Sequence, residues 1–180
     1  MNLVESYHQI LSRRYSPRQF SNKPVSGELL MEILDTVRYA PSSFNEQPWR
    51  FVYALKSDEQ AYYALLSCLN EKNQAWAQQA PALVLAVAKT DFSMTGSPNR
   101  HAWYDTGAAV AMMTLKAITH DMFVHQMAGF DAAKAREVLQ VPAEYEPVVM
   151  IAMGYLEHEQ KPDRPRRPLE EIAFAGRWGR

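Results

Sequence analysis

The chain has 180 residues, 47% of them apolar, and a formal net charge of −1 at pH 7. This length suits one compact domain with a single core, so 1–180 is expected to fold as one unit. Balanced charge supplies no field for nucleic acid or an anionic membrane, and the lone Cys68 excludes an intrachain disulfide and a cysteine zinc cluster.

The N-terminus lacks a basic region followed by a long apolar run, and the longest apolar stretch, Ala80 to Ala88, is about half of what a membrane helix needs. A cytoplasmic protein with no membrane partner is expected. In chain order, Leu3, Tyr7, Ile10 and Leu11 recur at helical spacing, and Pro17 then holds Arg13 to Phe20 out of helix. Ser26 is a candidate N-cap, with Glu28 in the first turn, for a helix through Leu29, Leu30, Ile33, Leu34 and Val37. Ala40 to Trp49 forms a connector stiffened by Pro41 and Pro48, and Arg50 to Leu55 has strand composition.

Ser57-Asp58-Glu59-Gln60 reads as a capping box for a helix carrying Tyr62, Leu65, Leu66 and Leu69. Asn73 to Trp76 leads to Pro81, after which Ala82–Ala88 reads as a buried strand. Residues 91–100 form a polar loop. Tyr104 to about Thr119 is a long helix, apolar nearly all round and so expected to be buried. Asp131 can cap a short helix ending near Leu139, and Val148–Met153 is a last core strand closed by Gly154. The tail from Glu157 is charged and proline-bearing. With no regular βαβ alternation, the class is α+β.

The familiar phosphate-loop, dinucleotide and nucleophile-elbow motifs are absent. His120 and His125 lie five apart without an acidic partner at ligand spacing, so no zinc site is expected. Cys68 falls in an apolar helical pattern and reads as a buried thiol. What remains is basic and polar. Arg14, Ser16 and Arg18 alternate, so an extended segment would present them on one face, and Arg164 and Arg166 repeat the alternation. Guanidinium groups make charge-assisted, often bidentate bonds to phosphate. Either cluster alone also suits a solvated charged surface; together they can grip one phosphate from two sides. The stiff loop with Ser42, Ser43, Asn45 and Gln47 reads by itself as an ordinary turn between a helix and a strand; beside a phosphate grip it suits a planar polar ring.

Six segments, in order, resemble the FMN-dependent nitroreductase family. Arg14 to Phe20 is similar to its R-x-S-x-R-x-F signature, and Ala40 to Trp49 to its A-P-S-S-x-N-x-Q-P-W motif. Asn73 to Trp76 with Ala80-Pro81, Tyr104 to Ala109, Gln126 to Asp131 and Arg166 to Glu171 are similar to its later segments. The resemblance implies a mainly antiparallel sheet flanked by helices, with the C-terminal segment extending onto the partner in a homodimer. It implies tightly bound FMN at the interface and NAD(P)H as co-substrate, with a nitroaromatic, quinone or similar acceptor served in a ping-pong cycle.

By that resemblance Arg14, Ser16 and Arg18 serve the flavin phosphate and pyrimidine edge, with Arg166 and Arg164 closing on the phosphate. Asn73 bonds the ring edge. Pro41, Ser42, Ser43, Asn45 and Gln47 cover the ring from the other subunit, and backbone groups of Ala128 and Gly129 face flavin N5 and O4. The flavin carries the chemistry, so no protein nucleophile is implied. The chain departs from the family at Ile118-Thr119-His120-Asp121, where many members are glycine-rich, and at Trp76, where some carry lysine. It also has only Asp91–Ala102 where larger members insert helices. The same motifs suit a relative doing reductive dehalogenation or flavin fragmentation, or a non-catalytic flavin-binding dimer, although intact Arg14, Ser16, Arg18 and Arg166 argue against a decayed site. The 161–167 basic tail alone does not outweigh the balanced charge as an argument for nucleic-acid binding.

Overall fold

A computed structural model describes residues 3–158 and 161–179. Four strands form one antiparallel sheet: β1 (Trp49–Leu55), β2 (Ala82–Lys89), β3 (Phe123–Met127) and β4 (Tyr145–Gly154), in the order β1-β2-β4-β3. Six helices accompany them: α1 (Leu3–Arg13), α2 (Gly27–Asp35), α3 (Glu59–Ser67), α4 (Glu71–Ala77), α5 (Ala102–Thr119) and α6 (Ala132–Val138).

Central strand β2 explains the layering. Ala82, Val84 and Ala86 face a core built with Leu30, Ile33, Val110 and Met113 of α2 and α5. Leu83, Leu85 and Val87 face a second core with Tyr62 and Leu65 of α3, Ala77 of α4 and Ala135 of α6. Side chains alternate faces along a strand, so a strand covered on both sides must be apolar at every position. This is why 82–88 reads as a continuous apolar run. Tyr62 pins the second layer, its hydroxyl donating to the Ala80 carbonyl at 2.6 Å.

The helix starts follow local chemistry. Ser26 accepts from Leu29 N at 3.2 Å and Asp131 from Lys134 N at 2.9 Å, as expected for N-caps. Three expectations need correction. The cap of α3 is Asp58, not Ser57, accepting from Ala61 N at 3.2 Å. Residues 71–77 form a full short helix, started by Asn70 accepting from Asn73 N at 2.9 Å. Helix α5 is not buried all round: Trp103, Tyr104 and Met112 are exposed, because the sheet covers only one of its sides. Strand β3 had no counterpart in the sequence reading. Cys68 is fully buried, and desolvation pushes its thiol pKa up, which suits a packed thiol rather than a nucleophile.

Candidate functional site

Beyond α1 the chain runs extended, with Tyr15, Pro17 and Phe20 buried while Ser16 and Arg18 are exposed and Arg14 is half-buried. The buried set anchors the segment and leaves Arg14, Ser16 and Arg18 on its open side, as the alternation predicts. Here they line a cavity of about 630 Å³. The chain returns to the same place after β4: Lys161, Arg164 and Arg166 line the opposite wall, with His125 and His158 beside them. Lys161 Nζ donates to the Ser12 carbonyl and so ties this wall to the end of α1. Among the described residues, no acidic side chain borders the cavity. Among the described residues, the side chains of Arg14, Ser16 and Arg18 have no hydrogen-bond or ion-pair partner, so their donors stay open to a ligand.

A smaller cavity of about 460 Å³ adjoins it, sharing Arg18, Gln19 and His158 and adding Phe20, Trp76, Gln79 and Glu157. Rings from both linings meet: Phe20 stacks on Trp76 at 6.5 Å, and Trp76 meets His125 at 4.5 Å. His125 Nδ1 lies 2.7 Å from the Pro17 carbonyl, an arrangement that assigns the neutral ring's proton to Nδ1. Burial pushes the His125 pKa below its ordinary value; the Pro17 bond opposes this and the Arg18 charge adds to it.

Asn73, Ala128 and Gly129 form a second group that lines neither cavity. The Gly129 carbonyl accepts from Asn73 Nδ2 at 2.9 Å and from Asn70 N at 3.0 Å, which fastens the turn after β3 to the start of α4. A Cβ on Gly129 would stand 2.4 Å from Asn70 Nδ2 and 2.7 Å from Asn73 Nδ2, so a side chain here would have to displace both amides. The Asn73 amide nitrogen is therefore engaged within the chain.

The Pro41–Gln47 loop stands apart from both cavities in its own chain. It is shaped from within: Ser42 Oγ accepts from Gln47 N at 3.0 Å, and Gln47 Nε2 donates to Asn45 Oδ1 at 3.2 Å. Phe44 points outward, 91% exposed, with its ring edge on Phe92 at 5.7 Å. Arg14, Ser16, Arg18, Arg164 and Arg166 are thus together, and the remaining candidates are not with them. The sequence reading missed His125, Lys161 and Asp105 as parts of these groups. For Asp105 a signal existed, an acid in the first turn of an otherwise apolar helix; for the other two none did.

Residues 11–155 match the Nitroreductase family. A 15.4 kDa protein of Mycolicibacterium smegmatis is 33% identical over 128 residues, covering 65% of this chain and 84% of that one. An NADH dehydrogenase of Thermus thermophilus is 27% identical over 193 residues, covering 90% and 92%. A crystal structure described as an oxidoreductase containing FMN superposes with a TM-score of 0.86 at 31% identity, covering 94% of this chain and 91% of that one. The chain belongs to the nitroreductase family.

Proposed function

We propose that this protein is an FMN-dependent oxidoreductase, drawing electrons from NAD(P)H and passing them to a nitroaromatic, quinone or similar small acceptor. The observation that carries the reading is the convergence of Arg14, Ser16, Arg18, Arg164 and Arg166 on one cavity in a chain of this family. The residues fit the cofactor. A cavity of about 630 Å³ lies within the roughly 300–1,000 Å³ range of cofactor sites, and its polar lining consists largely of donors suited to a phosphate. The FMN of the structural relative described above supports the same cofactor here.

When bound, FMN supplies the two-electron carrier between NAD(P)H and acceptor. Arg14, Ser16 and Arg166, with Arg164, hold the phosphate. Arg18, shared by both cavities, stands at the pyrimidine edge, where a fixed guanidinium favours added negative charge. Asn73 presents its amide oxygen to the ring edge, and the backbone N–H groups of Ala128 and Gly129 face the reactive side. The Pro41–Gln47 loop of a second subunit covers the ring and keeps water off it. A monomer then lacks a complete site, and the chain works as a homodimer of single FMN-binding domains, with the tail beyond Arg166 reaching the partner. A cytoplasmic location follows from the NAD(P)H supply.

The test is direct. Purified protein should be yellow, should oxidise NAD(P)H only with acceptor present, and should give parallel double-reciprocal plots at several acceptor concentrations. Protein that neither retains nor binds FMN overturns the reading.

A further inference from the structure

The Ser42–Gln47 loop stores backbone strain. Phe44, Asn45 and Gln47 have φ of 52°, 56° and 48°, a left-handed region that side-chain-bearing residues occupy at a cost. Such conformations persist only where surrounding contacts over-determine them. Two carboxylates supply those contacts from opposite sides. Glu46, within the loop, accepts from the Ser93 N–H at 2.9 Å and its hydroxyl at 2.5 Å, and Lys89 Nζ donates to the same hydroxyl at 2.6 Å. These groups are exposed, so they follow the solvent-facing 91–100 loop. Asp105 is different. It lies in the first turn of α5, is 4% exposed, and accepts the Ser43 N–H at 2.9 Å across 62 residues of sequence.

A buried carboxylate needs compensation, and this one has the Ser43 donor and the favourable end of the α5 dipole. The bond is charge-assisted and therefore stronger than a neutral equivalent. It reaches the loop one residue before the left-handed stretch begins. It also springs from the longest helix of the fold, which packs on the sheet through Ala109, Val110 and Met113.

We propose that Asp105 is a positioning residue whose buried carboxylate fixes the Ser42–Gln47 loop in the left-handed shape that covers the flavin. The cover is then set before the cofactor arrives, so its ordering cost is met during folding and not on binding. The covering role rests on the function proposed above; the anchoring of the loop by Asp105 does not.

Asp105→Asn keeps the side chain's size and one acceptor oxygen but removes the charge. Asp105→Ala removes the acceptor altogether. Amide hydrogen exchange is measured on the flavin-free protein and both variants, followed by FMN titration of each. In Asp105→Ala, exchange over residues 43–47 should accelerate by about tenfold or more while α5 amides hold their rates, and the FMN Kd should rise by about tenfold. Asp105→Asn should fall between wild type and Asp105→Ala in both measurements, and it carries the test if the alanine variant does not fold. Unchanged Ser43 exchange, or acceleration as large through α5 as in the loop, overturns the proposal. So does a loosened loop with unaltered FMN affinity. Wild-type protein without FMN affinity defeats the function proposed above, and the exchange rates then judge the Asp105 anchor alone.

Discussion

Around the basic cavity, Arg14, Ser16 and Arg18 stand outward from a segment held by Tyr15 and Pro17, and their side-chain polar atoms are bonded to nothing among the described residues. In the Ser42–Gln47 loop the situation is reversed. Ser42 Oγ accepts from Gln47 N, Gln47 Nε2 donates to Asn45, Glu46 accepts from Ser93 and the Ser43 N–H donates to Asp105. The first three side chains keep their donors open for a ligand, and these loop bonds are committed to a shape. Removing a side chain from the first should cost affinity and leave the fold intact. Removing one from the second should loosen a segment whether or not a ligand is present.

The sharpest separation comes from the cavity. The double variant Arg14→Ala with Arg18→Ala should weaken FMN binding by about a hundredfold or more, each guanidinium contributing roughly 1.5–3 kcal/mol through charge-assisted bonds. Its melting temperature should stay near wild type, and Arg18→Ala alone should impair flavin retention or reduction more than folding. A large fall in Tm would place these residues with the loop class instead. Next in size is Gly129→Ala. The added Cβ would displace Asn70, which caps α4, and Asn73, which holds the Gly129 carbonyl. A loss of about 1–2 kcal/mol by denaturant unfolding is expected, in the range for a lost cap; an unaltered midpoint would mean the turn can shift freely.

Smaller is an acid effect on the loop. The Ser93 hydroxyl hydrogen bond holds the Glu46 pKa below its ordinary value, assisted by the Ser93 N–H and by the Lys89 and Arg50 charges, while partial burial pushes the other way. A depressed carboxylate contributes stability above its unfolded pKa and loses it as pH falls through the folded one. Amide exchange at Ser93 should therefore accelerate only below the usual carboxylate range. Acceleration that begins near neutral pH would contradict the depressed Glu46 carboxyl. The smallest effect is ionic. Added salt should weaken FMN binding several-fold by screening the exposed arginines, with little change in loop exchange.

Much of this was legible in the sequence, for reasons that differ by element. Strand β2 announced itself because both of its faces are covered, and the outward set Arg14, Ser16 and Arg18 followed from period-two alternation beside a proline. Helix α6 and its Asp131 cap, and helix α2 with Ser26, were readable from local hydrogen-bonding chemistry alone. Strand β3 was not. Its five residues, Phe123 to Met127, follow α5 closely without glycine or proline to mark the break, and the reversal is made by Asp121 at φ 56°. Helix α4 has a single fully buried residue, Ala77, and so lacks an apolar stripe to detect. The Asp105 contact to Ser43 spans two elements with no shared periodicity. The meeting of Arg164 and Arg166 with the Arg14–Arg18 segment was expected from the two basic clusters, whereas the place of Lys161 beside them became visible only in the fold.

The central claim is that the convergent arginines hold FMN, and titration of flavin-free protein with FMN, followed by flavin absorbance, tests it most directly. Wild-type protein should show saturable binding that is lost in the Arg14→Ala, Arg18→Ala double variant at the same FMN concentrations, with both proteins folded by circular dichroism. Equal binding by the two proteins, or none by the wild type, would contradict the account.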